Sequence, residues 1–511
     1  MECDVLLVSV WTEPVHVNPS YQLIRNEINR CSRLLAARRL KEFMEANAER
    51  AKEYGDMVRY QDQYPYCPGL LSIAAVLEDA GYRVRCVSLD VERDLLGSEN
   101  WLEEAVASLC AETRIAVGVS AVTPEYYRAI RFLELVRRFG PHIRTMIGGT
   151  HVTYIDEEPA CHPAVDAVVR GEGEMTALEL VERWSRGEPV EDVAGTTLLC
   201  DGVVRRNPDR ELLDARQLPI PAYHLLDRET LERVHLTPTY SRGCPFQCNY
   251  CVESIFWDRR VRYKDPVRFV DELEIIIEKT NWRFIHIADS TFGISRSATE
   301  ELCDELERRK LDAVFSINVR PDLFSYLGED LVQRLAALRF VEFYVGMETV
   351  DEGLLASLNR RQSHAGLLDA LHRLKEIGIP FVKLYLIVGA PGDTHEGLQN
   401  TLNAIRRMLE SDLICYATGK FFVPAPGTEQ FAYPGDNGYT FLTKDWNYYE
   451  RYNFPPVVEH CNLSAYEIEQ YVTLLQAIQL AVYRRKLGVD PDEYDRVRAW
   501  TEQTYYQKIY L

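Results

Sequence analysis

Three cysteines stand close together near the middle of the chain. Cys244, Cys248 and Cys251 are separated by three and then two residues, in the segment Ser241-Arg-Gly-Cys-Pro-Phe-Gln-Cys-Asn-Tyr-Cys. Three thiolates on one short loop can hold three corners of a cubane iron–sulfur cluster and leave the fourth iron without a protein ligand. A structural zinc site normally takes a fourth Cys or His at short spacing, and the nearest downstream histidine is His286. The spacing therefore favours a cluster with one open iron over the two alternatives, a zinc site and three unrelated buried cysteines.

The cysteine loop follows the first strand of a series in which short apolar runs alternate with helix-like stretches. The six predicted strands are residues 237–241, 284–288, 314–318, 341–347, 381–388 and 419–423. Strands that alternate with helices form parallel sheets covered by helices. We therefore expect an α/β fold in which residues 236–430 form a partial (β/α)6 TIM-type barrel, with the cysteines at a strand end.

A separate α/β module is expected before the barrel. The same alternation over residues 1–195 predicts a doubly wound, Rossmann-like domain. Within it, we expect residues 11–65 to form a solvated helical insertion, with a substrate or partner lid as the alternative. Residues 196–235 lose the pattern and carry prolines among charges, as a linker between modules does. We predict that residues 431–511 form a mostly helical tail, whose amphipathic helix at 464–487 closes one end of the barrel.

Composition and charge limit the class of partner. The chain has 58 Lys and Arg against 78 Asp and Glu, a formal net charge of -20, and such a surface disfavours nucleic acid and anionic membranes. No run of about 18 apolar residues occurs, so we expect no membrane span. The start of the chain lacks the basic residues of a signal peptide, and ten of the 13 cysteines are scattered singly. We therefore expect a cytoplasmic protein.

The cysteine motif resembles that of the radical S-adenosylmethionine (SAM) superfamily, which also places an aromatic residue, here Tyr250, just before the last cysteine. Membership implies that the three cysteines carry a [4Fe-4S] cluster. It also implies that the open iron is chelated by the amino and carboxylate groups of SAM. One electron from the reduced cluster then cleaves SAM and yields a 5'-deoxyadenosyl radical that abstracts hydrogen from a substrate.

Later segments resemble the remaining strands of that family in the expected order, from 236 to 430. The resemblance implies that Arg320 pairs with a carboxylate, that Glu348 lies near the ribose or amino group, and that a Gly-Pro turn approaches the adenine. The residues so assigned to SAM binding are Tyr250, Asp289, Arg320, Glu348, Gly389 and Pro391. Asp289 alone also fits a helix cap, Glu348 an ion pair, and the turn an ordinary tight turn.

The amino-terminal half resembles the cobalamin-binding domain that precedes the barrel in a large subgroup of this superfamily. In doubly wound sheets, ligands lie beyond the carboxyl ends of the strands, and glycines there let backbone approach a large ring. The residues assigned to cobalamin on this basis are Ser120, Thr123, Gly148, Gly149, His151, Val152, Gly171 and Glu172. A generic Rossmann-like module is the alternative.

One departure concerns the lower face of the corrinoid. Cobalamin proteins that supply an axial histidine carry Asp-x-His-x-x-Gly, and this string does not occur in the chain. We therefore expect a non-histidine lower face and interpret His151 as a polar or packing residue near the ring.

Both resemblances together imply a cobalamin-dependent radical SAM methyltransferase that acts on an unactivated carbon, or on phosphorus, through a 5'-deoxyadenosyl radical and methylcobalamin. The alternatives are a cyclising, rearranging or oxidative enzyme with the same cofactors and, more remotely, a non-enzymatic corrinoid or iron–sulfur sensor. The implied partners are a small-molecule or peptide substrate and an external one-electron reductant such as flavodoxin or ferredoxin. The tail aromatics either line a substrate pocket or pack on the barrel: Tyr433, Trp446, Tyr448, Tyr449 and Tyr452.

Overall fold

The computed structural model describes residues 2–10, 63–449 and 456–487 of the chain. The predicted insertion at 11–65 lies outside these residues except for its last three positions, and Tyr452 also lies outside them. None of the helices in these ranges is long and apolar enough to cross a bilayer.

The elements follow one another as short strands and helices along the chain. The strands are β1 (Cys3–Ser9), β2 (Tyr64–Pro65), β3 (Val84–Ser88), β4 (Thr113–Ser120), β5 (Arg144–Gly148), β6 (Ala167–Val169), β7 (Thr196–Cys200), β8 (Val203–Arg206), β9 (Val234–His235), β10 (Ser241–Arg242), β11 (Arg262–Tyr263), β12 (Phe284–Ile287), β13 (Val314–Val319), β14 (Phe340–Glu348), β15 (Phe381–Val388), β16 (Tyr416–Phe421), β17 (Tyr439–Phe441) and β18 (Val458–His460).

The α-helices are α1 (Pro68–Asp79), α2 (Leu89–Leu96), α3 (Trp101–Glu112), α4 (Tyr126–Phe139), α5 (Thr150–Tyr154), α6 (Glu157–Ala160), α7 (Glu174–Arg186), α8 (Arg228–Arg233), α9 (Val252–Phe256), α10 (Pro266–Thr280), α11 (Arg296–Arg309), α12 (Leu323–Ala337), α13 (Glu352–Ser357), α14 (His364–Ile377), α15 (His395–Glu410), α16 (Glu429–Ala432) and α17 (Ala465–Leu487). Short 3-10 turns lie at Thr123–Glu125, Tyr223–Leu225 and Trp446–Tyr448.

The first module is built on a seven-stranded sheet in the order β3-β1-β4-β5-β6-β7-β8. Strands β1 and β3 to β6 are parallel, and β7 and β8 are antiparallel additions at one edge. Along β1, Val5 and Leu7 face the core beneath α1 and α7, while Leu6 and Val8 face the core beneath α3 and α4. Both faces are therefore buried, as the nearly continuous apolar run of β1 requires in a doubly wound sheet.

Strands β7 and β8 correct the predicted boundary of the first module. We predicted a linker over 196–235, but residues 196–206 form the last two strands of the first sheet. Antiparallel edge strands need only a tight turn between them, so this hairpin lacks the strand–helix alternation on which the boundary was based.

The second module contains the five-stranded parallel sheet β12-β13-β14-β15-β16, with a large core between the sheet and α10, α11, α12, α14 and α15. The segment 237–241, predicted as the first barrel strand, runs beside β12 and its Pro238 carbonyl accepts a hydrogen bond from Ala288 N at 2.8 Å. Its end, β10, pairs instead with β11 in an antiparallel ladder. The barrel is therefore an open arc that begins with this extended segment.

The carboxy-terminal segment contacts both modules. Gln479 of α17 exchanges two hydrogen bonds with the backbone of Ala417 at 2.8 Å each, so the helix covers the edge strand β16. The β17–β18 hairpin and the turn containing Trp446 and Tyr449 instead pack into the core that holds α4 of the first module. The tail thus lies along the edge of the arc, and these two aromatic residues pack in a core to which both modules contribute.

Candidate active site

The cysteine loop begins in a tightly held turn. The carboxylate of Asp289 accepts hydrogen bonds from Tyr240 N at 2.7 Å, Ser241 N at 3.0 Å and Ser241 Oγ at 2.5 Å. Burial raises the pKa of Asp289 to about 6, although these hydrogen bonds oppose the rise. Gly243 has a φ of 108°, and a Cβ there would overlap the carbonyl oxygen of Arg260. Only glycine fits this turn, which sets the direction of the loop.

The three cysteines line one cavity of about 340 Å³ at the carboxyl ends of strands β13 to β16. We call it the cysteine cavity. Cys248 is buried, and Cys244 and Cys251 are half-buried. No three His, Cys, Asp or Glu side chains in the described ranges lie close enough together to hold a single metal ion. A cubane places its irons at separate corners, so its thiolate ligands need not converge on one point. The arrangement fits such a cluster.

Arg360 connects the cysteine loop to strand β14. Its guanidinium donates to Gly346 O at 2.7 Å and Tyr250 Oη at 3.2 Å, lies 3.8 Å from Cys248 Sγ and pairs with Glu348 at 3.2 Å. The buried cation therefore fixes Tyr250 and Glu348, two of the residues assigned to SAM, and lies beside Cys248, one of the three cysteines assigned to the cluster. Sequence reasoning missed Arg360, because no recognised motif contains it.

The residues assigned to SAM separate into two groups. Tyr250, Arg320 and Glu348 line the cysteine cavity, whereas Asp289, Gly389 and Pro391 do not. Arg320 already pairs with Asp322 at 3.0 Å, and its guanidinium lies 3.8 Å from the centre of the Phe246 ring. The Gly389 turn packs against α17 and donates its N–H to Asp393 at 3.0 Å.

A buried polar network holds the aromatic wall of the cysteine cavity. Lys383 pairs with Glu342 at 2.6 Å and donates to Tyr344 Oη at 3.0 Å, while Ser316 Oγ donates to Glu342 at 2.8 Å. Tyr344 in turn stacks on Tyr385 at 5.2 Å between ring centres. A network of buried ion pairs and hydrogen bonds keeps its side chains in one arrangement, so both tyrosines present a fixed surface to the cavity.

A second cavity, of about 410 Å³, lies between the carboxyl edge of the first sheet and the second module. We call it the interdomain cavity. Glycines form much of its edge on the first sheet, and at Gly149, which has a φ of 106°, a Cβ would crowd the backbone of Ala121. Phe256 and Trp257 line it from the other side. A wall of bare backbone opposite aromatic rings suits the edge of a large flat ring or its tail.

The residues assigned to cobalamin also separate. Those that line the interdomain cavity are Ser120, Gly148, Gly149, Gly171 and Glu172, and those that do not are Thr123, His151 and Val152. His151 packs between Tyr126 and Trp446 at 4.6 and 4.9 Å and contacts Thr123 Oγ1 at 3.3 Å. Burial lowers its pKa to about 4. The histidine is thus a neutral residue packed between two aromatic rings.

A charged network joins the two modules at the interdomain cavity. Arg242 donates to Glu172 at 2.6 Å and lies 2.8 Å from Glu174, and Arg262 donates to Glu172 at 2.8 Å. Both guanidinium groups also lie over the Trp257 ring. Burial alone would raise the pKa of Glu174, but the charge of Arg242 together with the hydrogen bonds from Ser72, Arg242 and the backbone lowers it.

Two residues line both cavities. Glu253 follows the last cysteine by two positions, and Ser290 follows β12. Ser290 Oγ donates to Glu253 at 2.6 Å. The two cavities therefore adjoin at this pair, which neither composition nor motif identified.

Comparison with known proteins agrees with this architecture. Residues 239–405 match the family model of the Radical SAM superfamily, and residues 60–181 match that of the B12 binding domain. The chain therefore carries a radical SAM domain. Its amino-terminal module is a B12 binding domain, so it is a cobalamin-dependent radical SAM enzyme whose cofactors are a [4Fe-4S] cluster, SAM and cobalamin.

Individual relatives differ in their reactions. An uncharacterized methyltransferase of Pyrococcus horikoshii is 28% identical over 374 residues, which cover 72% of this chain and 78% of the relative. The anaerobic magnesium-protoporphyrin IX monomethyl ester cyclase of Rubrivivax gelatinosus is 29% identical over 393 residues, or 75% and 67% of the two chains. The methyltransferase TsrM of Kitasatospora setae, solved with cobalamin and a [4Fe-4S] cluster, shares the fold with a TM-score of 0.67 at 16% identity, over 97% and 90% of the chains.

Proposed function

We propose that the protein is a methyltransferase that acts on an unactivated carbon, or on phosphorus, of a small-molecule or peptide substrate. The observation that supports this most directly is the wall shared by the two cavities at Glu253 and Ser290. When bound, the reduced cluster and SAM supply a 5'-deoxyadenosyl radical, and cobalamin supplies the methyl group. A substrate at the junction is within reach of both, and such positioning removes much of the entropic barrier to reaction.

The residues of the chain have distinct roles in this proposal. Cys244, Cys248 and Cys251 hold the cluster. Arg360 and Glu348 shape the SAM side of the cysteine cavity through their ion pair. Tyr344 and Tyr385 form a wall that keeps water from the reacting atoms, which protects a radical from side reactions.

The proposal also includes partners and location. We propose a cytoplasmic enzyme that receives single electrons from an external reductant such as flavodoxin or ferredoxin. The reductant is required because each radical consumes one electron at the cluster.

Methyl transfer is tested with SAM that carries a CD3 group. The protein is reconstituted anaerobically with iron, sulfide and hydroxocobalamin, reduced, and incubated with the labelled SAM. We expect the extracted corrinoid to carry the CD3 group and S-adenosylhomocysteine to accumulate. A Cys244→Ala, Cys248→Ala, Cys251→Ala variant serves as the control, since it keeps the interdomain cavity but loses the cluster. An unlabelled corrinoid in the intact protein contradicts the proposal.

A cyclising or rearranging reaction without methyl transfer is the second candidate. The similarity to the magnesium-protoporphyrin IX monomethyl ester cyclase, at 29% identity, favours it. This reaction predicts 5'-deoxyadenosine without S-adenosylhomocysteine and an unlabelled corrinoid. The same experiment therefore decides between the two candidates.

A further inference from the structure

Both hydrogen bonds that described residues donate to the Glu253 carboxylate go to the same oxygen. Ser290 Oγ donates to Oε2 at 2.6 Å, and Trp257 Nε1 donates to the same Oε2 at 3.1 Å. Within the described ranges, no residue donates a hydrogen bond to Oε1. The carboxylate is thus fixed in direction by two donors, and Oε1 remains free to accept a hydrogen bond at the junction of the cavities.

The charge of Glu253 is also uncompensated within the part of the chain that the structure describes. Each of the other glutamates lining the two cavities has a cationic partner. Glu172 and Glu174 pair with Arg242, Glu272 pairs with Lys264 at 2.6 Å, and Glu348 pairs with Arg360. Glu253 forms no such pair with a described residue. When cofactors and substrate fill the cavities and displace water, a carboxylate without a cation becomes costly.

We propose that Oε1 of Glu253 binds a protonated amine of the substrate at the junction of the two cavities. This inference rests on the proposed function, in that the substrate lies between the two cofactors. A protonated amine satisfies both requirements, because it donates a hydrogen bond and compensates the charge. Trp257 and Phe256 line the adjoining wall, so the amine-bearing substrate contacts aromatic rings beside the carboxylate.

Three matched probes test the charge preference. They are 2-phenylethylamine, 2-phenylethanol and 3-phenylpropionate, which share an aromatic ring and differ in the polar end. Their dissociation constants are measured by anaerobic titration calorimetry against the protein loaded with cluster, SAM and cobalamin. We expect the amine to bind about tenfold or more tightly than the alcohol, and the carboxylate to bind least tightly.

The variant Glu253→Gln keeps the shape of the side chain and removes its charge. We expect the amine and the alcohol to bind this variant with similar dissociation constants. Asp258→Asn is the matched control: Asp258 lies in the same segment but is 70% exposed and pairs with Arg260, so it should leave the preference for the amine unchanged. The iron and cobalt contents of both variants are measured in parallel.

The outcomes separate the inference from its alternatives. Equal binding of amine and alcohol by the unaltered protein overturns the inference without any variant. If Glu253→Gln weakens the binding of SAM but not that of the amine, the inference is also overturned. The carboxylate would then bind the cationic sulfonium or ammonium of SAM. If the CD3 group is not transferred but the protein still binds the amine more tightly than the alcohol, only the methyltransferase proposal is overturned.

Discussion

Arg242, two residues before Cys244, donates a hydrogen bond of 2.6 Å to Glu172 of the B12 binding domain. The same guanidinium lies 2.8 Å from Glu174 and donates to Ser72 Oγ at 3.1 Å. One buried cation therefore ties the start of the cysteine loop to the edge of the interdomain cavity. Through it, the position of the cluster depends on the packing of the first module.

Replacement of Arg242 by Met should weaken both modules together. Glu174 would keep its burial and lose its cationic partner, and such a loss costs about 3 kcal/mol. We expect a lower melting temperature together with lower iron and cobalt contents after reconstitution. Arg260→Met, at an exposed ion pair with Asp258, is the matched control. Equal melting temperatures and equal iron and cobalt contents in the two variants would show that Arg242 does not link the modules.

The stability of the protein should depend on the protonation of Asp393. Burial, together with the charge of Asp351, raises the pKa of Asp393 from its ordinary value of 3.8 to about 7. The folded state therefore holds a proton that the unfolded state releases, and the stability from this group is full below pH 3.8 and is lost as the pH rises through 7. The loss is at most about 4 kcal/mol.

The variant Asp393→Asn checks this dependence, because its side chain stays neutral at every pH. Melting temperatures are measured from pH 5 to pH 9. We expect the melting temperature of the variant to rise relative to that of the unaltered protein as the pH increases to about 7. The difference between the two melting temperatures should level off above pH 8. Asp436→Asn, at an exposed position, is the matched control. A difference in melting temperature between Asp393→Asn and the unaltered protein that stays constant from pH 5 to pH 9 would contradict the raised pKa of Asp393.

Gly427 should be essential to the contact between the barrel and the first module. It has a φ of 88°, and a Cβ there would overlap the ring of Tyr154 in α5. Gly438 has a φ of 74° and no atom within 4 Å of the corresponding position. We expect Gly427→Ala to lower the free energy of unfolding by about 1–3 kcal/mol more than Gly438→Ala does. Limited proteolysis should also cut faster between the modules in Gly427→Ala, and equal effects of the two substitutions would contradict this account.

The order of the modules follows from local patterns in the sequence. The largely apolar runs of β1, β4, β13 and β15 and the helix-like stretches between them predict parallel sheets, because a strand buried on both faces is mostly apolar. The cysteine spacing predicts the iron–sulfur cluster for an equally local reason. Both signals lie within short segments, so they can be read without knowledge of the tertiary structure.

Contacts between distant segments could not be predicted in this way. Arg360 meets Cys248 across 112 positions of the chain, and Arg242 meets Glu172 across 70. Neither arginine belongs to a recognised motif. His151 illustrates the opposite case, since its Gly-Gly-Thr-His turn predicts a place near the ring but the tail residue Trp446 encloses it. The partners of such residues become visible only when the modules are assembled.

The central claim is that one chain carries a cluster and a corrinoid in adjoining cavities. Its most direct test is the iron and cobalt content of the anaerobically reconstituted protein, with an ultraviolet–visible spectrum. We predict about four irons and one cobalt per chain, and loss of the iron alone in the Cys244→Ala, Cys248→Ala, Cys251→Ala variant. Iron without cobalt in the unaltered protein would contradict the account, because the interdomain cavity would then hold no corrinoid.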